Sequence, residues 1–277
     1  MKKILICTGG TGGHIFPAIS LAEYLEKKNF NVDFITDYRA KKFINNINLK
    51  KINFINIKTP TGKKGLGLIY SIFLIFISFL YSIFFLLLKK PQLIIGSGGY
   101  VSFPILLAAR LLKKKFVIYE TNSVVGRVNK FFLNSSTKIF TGYPLKNLNI
   151  SNDKVTFVGQ LIREQIYLAK VNNYFKKDDN FDFTLLIIGG SQGAEIFSKT
   201  LPQSLNKLFN LNKKIRIFHQ VGNKEQELKI DFSYKNNPNV AFFNFEPNIE
   251  KYMMLSDLVI TRAGSSTLSE LAYLQIP

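Results

Sequence analysis

The chain has 277 residues, of which 47% are hydrophobic, so it is long enough for two domains with their own cores and too apolar to be disordered. Its 37 Lys and Arg against 18 Asp and Glu give a formal charge of +19, which favours nucleic acid, anionic lipid or phosphorylated partners without choosing among them. A genome-wide compositional bias toward Lys, together with Asn, Ile and Phe, would also make the chain basic without any selection for a ligand. The single cysteine, Cys7, is expected to be a small core residue and fits a reducing compartment. The apolar run that ends at Cys7 is too short for a signal peptide, so we expect the chain to begin in the cytoplasm.

A glycine-rich stretch, residues 8–14, follows an apolar run over Ile4–Cys7 and precedes a helical pattern over Phe16–Lys28. Glycines there permit backbone angles that other residues avoid, and unpaired N–H groups at a helix start attract a phosphate or a developing oxyanion. The same succession of strand, glycine turn and helix recurs at residues 93–99, 185–193 and 258–266. Two turns fall in each half, which predicts two nucleotide-binding folds that face each other across a cleft.

The first half alternates continuous apolar runs with helical patterns. The predicted strands are Lys3–Cys7, Val32–Ile35, Ile52–Ile57, Leu93–Ile95 and Phe116–Tyr119. Such alternation predicts a parallel sheet with right-handed crossovers, and strands without polar alternation indicate helices on both faces. Ligands of these sheets bind at the carboxyl ends of the strands, where both early glycine turns fall.

An uncharged run over Leu66–Leu88 has the length of a membrane span and is bracketed by pairs of lysines. A span would put the first two glycine turns on opposite sides of a membrane, although their strands belong to one predicted sheet. We therefore predict a helix that buries one face on the sheet and offers the other to anionic lipid; a wholly buried helix is the alternative. Three serines share one predicted face, which leaves five phenylalanines for the other surfaces: Ser71, Ser78 and Ser82, against Phe73, Phe76, Phe79, Phe84 and Phe85.

The polar stretch 147–154 predicts a boundary between domains at residues 1–158 and 159–277. The elements predicted around and beyond it are strands Val155–Val158, Phe183–Ile188, Ile215–His219, Val240–Phe243 and Leu258–Ile260, and helices Ala194–Phe209, Ile249–Ser256 and Leu268–Leu274. This is a short complement of strands for a doubly wound domain. We therefore expect the second domain to be incomplete and the chain to be a truncated sequence.

Four motifs in this order and spacing resemble the MurG family. They are residues 9–18 (GGTGGHIFPA), 98–102 (GGYVS), 189–194 (GGSQGA) and 262–270 (RAGSSTLSE). The resemblance implies the α/β GT-B fold and an inverting transfer of N-acetylglucosamine from UDP to undecaprenyl-diphospho-muramoyl-pentapeptide in peptidoglycan synthesis. It also implies no cofactor and no essential metal, no nucleic-acid partner, and a peripheral position on the cytoplasmic face of the inner membrane.

The resemblance also implies site residues. It makes His14 the candidate general base and assigns acceptor binding to Gly98, Gly99 and Tyr100. UDP-N-acetylglucosamine binding falls to Thr11, Gly12, Gly13, Asn122, Arg163, Ser191, Gln192, Phe245, Ser265, Ser266, Thr267 and Glu270. Within this set Asn122 contacts the sugar, Arg163 and Ser191 the diphosphate, Phe245 the uracil and Glu270 the ribose. Tyr119 and Thr121 stand where the family usually has His and Gln.

Several alternatives stay open from the residues themselves. His14 could cap or pack the helix start, and His219, the other histidine, could be structural. Glu270 could instead close a capping box with Thr267. Asp37 ends the second strand where a nicotinamide enzyme has a ribose-binding acid, but Ile15 breaks the required glycine spacing. Another GT-B glycolipid transferase, a UDP-N-acetylglucosamine epimerase and a catalytically inactive membrane-associated fragment remain as rivals.

Overall fold

The computed structural model describes residues 2–44, 49–145, 151–175, 177, 179–190, 194–211, 213–222, 227 and 229–277. The chain divides into two compact units, Met1–Leu161 and Ile162–Pro277. The sequence places the domain boundary after Val158, just before this division. Each unit is built on its own parallel sheet with helices between successive strands, which makes the protein α/β in both halves.

The first unit contains a seven-stranded sheet in the order β3-β2-β1-β4-β5-β6-β7, with all pairs parallel. Its strands are β1 Lys3–Cys7, β2 Asn31–Asp37, β3 Ile52–Ile55, β4 Leu93–Gly96, β5 Phe116–Glu120, β6 Ile139–Thr141 and β7 Val155–Phe157. The strand order changes direction at β1 and β4, the two strands that end in the early glycine turns. This is the position at which open α/β sheets bind ligands. The sequence analysis did not predict β6.

The helices of the first unit are α1 Gly12–Lys27, α2 Lys41–Ile44, α3 Gly65–Lys89, α4 Ser102–Leu111 and α5 Arg127–Phe132. Helix α1 begins at Gly12 and not at the predicted Phe16, because the glycine turn leads directly into helical backbone. Cys7 is fully buried, as predicted, and burial raises the pKa of its thiol to about 12.

Helix α3 is the one helix in the described part of the chain that is long and apolar enough to cross a membrane, with mean hydropathy 2.6 and 28% of its apolar window buried. Its buried face carries the three predicted serines, Ser71, Ser78 and Ser82. Each hydroxyl is satisfied by a backbone carbonyl, which allows a serine stripe to be buried in the first unit. Phe79 and Phe85, which the sequence analysis left for the other surfaces of the helix, both pack against the core, so the expectation is wrong for these two residues.

The second unit has a four-stranded parallel sheet in the order β10-β9-β8-β11. Its strands are β8 Phe183–Ile188, β9 Ile215–Gln220, β10 Val240–Phe243 and β11 Leu258–Thr261. Its helices are α6 Glu164–Asn172, α7 Glu195–Asn206, α8 Phe232–Lys235, α9 Ile249–Met254 and α10 Ser265–Leu274. The helix predicted over Ala194–Phe209 ends at Asn206 and continues as a 3-10 turn over Lys207–Asn210.

Candidate active site

The two early glycine turns form one packed feature at the carboxyl ends of β1 and β4. The Gly9 N–H donates to the Gly98 carbonyl over 2.9 Å. A Cβ at Gly99 would lie 2.6 Å from the Gly9 Cα, so the backbones touch and neither position accepts a side chain. Gly98 and Gly99 also have φ of +88° and +77°, which favours glycine. Glycine is therefore required here by space as well as by conformation.

Asp37 holds the first glycine turn in place. Its carboxylate accepts the Gly10 N–H over 3.2 Å and binds the Arg39 guanidinium through both oxygens, at 3.0 and 2.7 Å. The same carboxylate accepts the Arg39 backbone N–H over 2.8 Å. Asp37 thus has a structural task at the site, and it is not needed as the ribose-binding acid of a nicotinamide enzyme.

His14 lies in the first turn of α1 with a half-buried imidazole. Its Nδ1 is 3.3 Å from the Thr121 hydroxyl. A Cβ at Gly98 would lie 3.1 Å from the imidazole Cε1, so the glycine makes room for the ring. Burial lowers the pKa of His14 below 6.5, although the charge of Glu120 and the Ser97 backbone act in the opposite direction. The imidazole is therefore neutral near pH 7, as a general base must be.

Glu120 organises the loop that follows β5. Its fully buried carboxylate accepts four hydrogen bonds: from the N–H and the side-chain amide of Asn122, at 3.0 and 3.2 Å, from the Gly126 N–H at 2.9 Å and from the Asn129 amide at 2.9 Å. The Asn122 amide also donates to the Thr121 hydroxyl over 3.2 Å. Asn122, assigned to the sugar by resemblance, thus has a fixed orientation close to His14.

A cavity of about 350 Å³ opens beside His14 within the first unit. Its lining comes from the second glycine turn, the start of α5 and the segment after β3, namely His14, Thr59, Thr61, Gly98, Gly99, Tyr100, Gly126, Arg127, Val128 and Asn129. These residues include all three that the sequence assigned to the acceptor.

The polar groups of this cavity are arranged around one hydroxyl. Thr61 shares a short hydrogen bond with the Tyr100 hydroxyl and accepts from the Arg127 guanidinium over 3.4 Å. The bond from Thr61 is the largest influence on Tyr100 and lowers the pKa of the phenol. The buried Oδ1 of Asn129 has no hydrogen-bond partner among the described residues. One cation, two hydroxyls and an unused acceptor suit a phosphorylated ligand that also carries hydroxyl groups.

In the second unit Arg163 and Glu270 form a bidentate ion pair, with Nε to Oε1 and NH2 to Oε2 both at 2.6 Å. Burial disfavours the charge on Arg163, but the Glu270 carboxylate more than compensates and raises the pKa of the guanidinium. The capping box proposed for Glu270 is wrong, because α10 begins at Ser265 and places Thr267 inside the helix. The Glu270 carboxylate pairs with Arg163 instead.

Glu250, in the first turn of α9, is a second buried carboxylate near this pair. Its Oε2 has no hydrogen-bond partner among the described residues. Burial raises the pKa of Glu250, and the Arg163 charge offsets only part of that effect. His219 has the structural role that the sequence left open: it is fully buried, its Nδ1 is 3.0 Å from the Tyr234 hydroxyl, and burial lowers its pKa to about 4.

The remaining predicted residues lie where strands of each unit end. Thr11 precedes α1 and is exposed, and Gly12 and Gly13 form the first residues of that helix. Ser265, Ser266 and Thr267 form the first turn of α10 and are partly exposed, as is Phe245 in the segment after β10. Ser191 and Gln192 lie outside the described residues. The sequence analysis missed Glu120, Thr61, Arg127 and Asn129; of these only Glu120, a charge ending an apolar strand, had a local signal.

The fold and these sites identify the class of protein. Residues 4–141 match the glycosyltransferase family 28 N-terminal domain, and residues 184–277 match the glycosyltransferase family 28 C-terminal domain. The two parallel-sheet units with glycine turns at their strand ends are thus the two domains of a family 28 glycosyltransferase.

Similar proteins narrow the class further. The UDP-N-acetylglucosamine–N-acetylmuramyl-(pentapeptide) pyrophosphoryl-undecaprenol N-acetylglucosamine transferase of Rickettsia felis is 37% identical over 297 residues, covering all of this chain and 78% of that protein. The protein of the same name from Pelagibacter ubique is 38% identical over 284 residues, covering all of this chain and 76% of that protein. The crystal structure of Acinetobacter baumannii MurG matches 98% of this chain and 76% of its own, with a TM-score of 0.69 and 25% identity. The chain belongs to the MurG family.

A more distant likeness shows the fold alone. The crystal structure of a putative UDP-N-acetylglucosamine 2-epimerase from Listeria monocytogenes matches with a TM-score of 0.72 at 11% identity, covering all of this chain and 78% of its own.

Proposed function

We propose that this chain transfers N-acetylglucosamine from UDP-N-acetylglucosamine to the N-acetylmuramyl-(pentapeptide) pyrophosphoryl-undecaprenol acceptor of peptidoglycan synthesis, as its relatives are named to do. The observation that carries the proposal is the position of His14 at the wall of a cavity that also holds a cation and hydroxyl groups, where burial lowers the pKa of its imidazole. An acceptor with a diphosphate and a reacting hydroxyl needs both features in one place.

His14 is the general base in this proposal. The acceptor hydroxyl attacks the anomeric carbon of the donor sugar, and the bond from that carbon to the UDP oxygen breaks as the new bond forms. A single displacement of this kind inverts the anomeric configuration. The hydroxyl proton passes to the unprotonated nitrogen of the His14 imidazole, whose Nδ1 lies 3.3 Å from the Thr121 hydroxyl. The negative charge leaves with UDP.

The acceptor diphosphate lies against the second glycine turn in this scheme. Arg127 supplies the positive charge, while the Tyr100 hydroxyl, linked to Thr61, supplies a donor at the same wall. Gly98 and Gly99 line the same cavity, and their backbone is the surface that the phosphate would meet.

The donor nucleotide belongs to the second unit. By resemblance Arg163, Ser191 and Gln192 are assigned to the diphosphate, and the first turn of α10 contributes N–H groups through Ser265–Thr267. Glu270 receives the ribose hydroxyls through the lone pairs that its bonds to Arg163 leave unused, since each carboxylate oxygen accepts more than one hydrogen bond. The ion pair thereby fixes the orientation of both side chains for the nucleotide. Phe245 packs against the uracil, and Thr11, Gly12, Gly13 and Asn122 approach the sugar.

The test of this function is transfer of radiolabelled sugar from UDP-N-acetylglucosamine to a short-chain analogue of the pyrophosphoryl-linked acceptor. We expect labelled disaccharide product from the wild-type chain and a loss of about 10²–10⁴-fold in His14→Ala, the usual range for a general base. Transfer only to a different glycolipid would support another GT-B activity, and no transfer to any acceptor would support an inactive fragment. Undiminished transfer by His14→Ala would remove the base assignment.

We also propose that the outer face of α3 lies on the anionic cytoplasmic surface of the inner membrane and makes the protein peripheral. This helix turns serines inward and aromatic and aliphatic side chains outward, the reverse of an ordinary surface helix. Phe76 and Phe84 are 54% and 63% exposed. Lys63 and Lys64 precede the helix, Lys89 is its last residue and Lys90 follows it, and these lysines can meet lipid phosphates.

Co-sedimentation with vesicles tests this placement. We expect binding to vesicles that contain phosphatidylglycerol and little binding to pure phosphatidylcholine, because both the apolar face and the lysines contribute. A Phe76→Ser and Phe84→Ser double variant should bind at least tenfold more weakly. Phe232→Ser removes an aromatic that is 82% exposed in the second unit and serves as the matched control. Equal binding by both variants would show that α3 does not hold the membrane.

A further inference from the structure

A chain of hydrogen bonds leads from the end of the first unit to His14. The Tyr119 hydroxyl lies 3.1 Å from the Gln160 side-chain carbonyl and 3.2 Å from the Gly159 carbonyl, the two acceptors for its proton, and the Gln160 amide donates to the backbone carbonyl of Thr121. The Thr121 hydroxyl then lies 3.3 Å from Nδ1 of His14. His14 in α1, Tyr119 in β5, Thr121 directly after β5 and Gln160 after β7 are thus connected. Only His14 has a role in the chemistry described above.

The surroundings hold this chain of bonds in one arrangement. A Cβ at Gly142 would lie 2.7 Å from Cδ of Gln160, so the missing side chain makes room for the amide. The Leu161 N–H donates to the Tyr119 oxygen over 3.1 Å. Burial raises the pKa of Tyr119 to about 12, so its hydroxyl keeps its proton and can donate at any pH used for assay. Gln160 therefore has fixed partners on both ends of its amide.

We propose that Thr121 is a positioning residue: held in place by Gln160 and Tyr119, its hydroxyl accepts a hydrogen bond from the Nδ1–H of His14, which keeps the proton on Nδ1 and leaves Nε2 unprotonated. The inference rests on the proposed role of His14 as the base. The hydrogen-bond partner of one imidazole nitrogen decides which of the two nitrogens carries the proton. A fixed acceptor at Nδ1 keeps the proton on Nδ1 and leaves Nε2 able to act as the base.

The Thr121 hydroxyl has the capacity for this task. It already receives a hydrogen bond from the Asn122 amide over 3.2 Å, which occupies one lone pair and leaves a second for the imidazole.

Nitrogen-15 NMR of the imidazoles reads the tautomer without any substrate. The sequence has only two histidines, so a protein labelled at histidine gives two imidazoles, and His14→Ala assigns them. His219, with its pKa lowered to about 4, stays neutral and buried and reports whether a variant is folded. At pH 7.5 we expect the wild-type His14 to carry its proton on Nδ1. Thr121→Val, which keeps the shape without the hydroxyl, should shift His14 toward the Nε2-protonated form, and Thr121→Ser should restore the wild-type spectrum.

Kinetics on the full chain give the second readout. We expect Thr121→Val to lower kcat about tenfold with KM for both substrates unchanged, because orientation and not binding is lost. Thr121→Ser should recover kcat, and Gln160→Leu should lie between. A wild-type spectrum and kcat in Thr121→Val would overturn the inference while leaving the base assignment intact. If the wild-type chain transfers no sugar, the proposed function is wrong, and the NMR spectrum still shows which tautomer His14 adopts.

Discussion

Arg163 and Glu270, which are 107 residues apart in sequence, meet in a buried bidentate ion pair. The two side chains are 13% and 5% exposed, so water screens them little. Both are assigned to the donor nucleotide, one to its diphosphate and the other to its ribose. The pair holds the start of α6 against α10, and in the proposed function it also presents the nucleotide with two oriented groups.

Glu270→Ala should destabilise the second unit by about 3 kcal/mol, because it leaves a buried guanidinium without its partner. It should also abolish measurable UDP binding. Thermal unfolding and isothermal titration with UDP measure the two effects.

An Arg163→Met and Glu270→Leu double variant separates the effect on stability from the effect on UDP binding. Removing both charges should return stability close to that of the wild type, since packed apolar groups replace buried ion pairs at little cost. UDP binding should stay lost. Recovery of UDP binding in the double variant would contradict the nucleotide role of the pair.

The pH dependence of transfer should report His14. Burial lowers its pKa, so the neutral, active form persists below the ordinary histidine value of 6.5 and is lost only as the pH falls through the lowered value. The acid limb of kcat/KM should therefore have its midpoint below pH 6.5, with a plateau at neutral pH. A midpoint above 6.5 would mean that another group controls the rate.

Glu250→Gln should stabilise the protein at pH 8. Burial raises the pKa of Glu250 in the folded state, so folding favours the protonated carboxyl. The contribution of Glu250 to folding stability is complete below the ordinary carboxyl pKa of 4.5. It is lost as the pH rises through the folded-state pKa. The amide cannot ionise and avoids this loss. Thermal unfolding should show a higher Tm for the variant at pH 8 and a difference that shrinks toward pH 4.

Glu195→Gln is the matched control for Glu250→Gln. Glu195 is exposed, and its hydrogen bond with Lys199 lowers its pKa, whereas the pKa of Glu250 is raised. The control should give no stabilisation at pH 8. A gain in both variants would point to overall charge and not to burial.

Gly99→Ala and Gly62→Ala separate conformation from space, because both glycines have a φ of +77°. At Gly62 an added Cβ meets nothing within 4 Å, so the cost should be the conformational one of about 1–2 kcal/mol. At Gly99 the Cβ would lie 2.6 Å from the Gly9 backbone, which has to move. We expect a loss of stability at least twice that of Gly62→Ala, measured by urea unfolding, together with loss of transfer. Equal costs would mean that the two glycine turns can separate freely.

The sequence anticipated features that depend on neighbours along the chain. The apolar run of β1 and the glycines after it fix a strand and a turn locally, and the spacing of Ser71, Ser78 and Ser82 placed them on one face of α3. Period alone does not say how wide the buried face is, so Phe85 was assigned to the wrong side. The strand Ile139–Thr141 escaped prediction because three residues are too few to show a period.

The partners of charged groups were decided by tertiary structure. Glu120, Asp37 and Glu270 are each a carboxylate after or within an apolar segment, and nothing local distinguishes a ligand from a structural acid. Folding brings amide donors to Glu120, a glycine turn to Asp37 and a guanidinium to Glu270. Sequence by itself determined the parallel-sheet units and the glycine turns at their strand ends, because those follow from local periodicity and backbone freedom. Only the tertiary structure decided which side chains hold His14 neutral and supported, because burial and long-range hydrogen bonds exist only once distant segments meet.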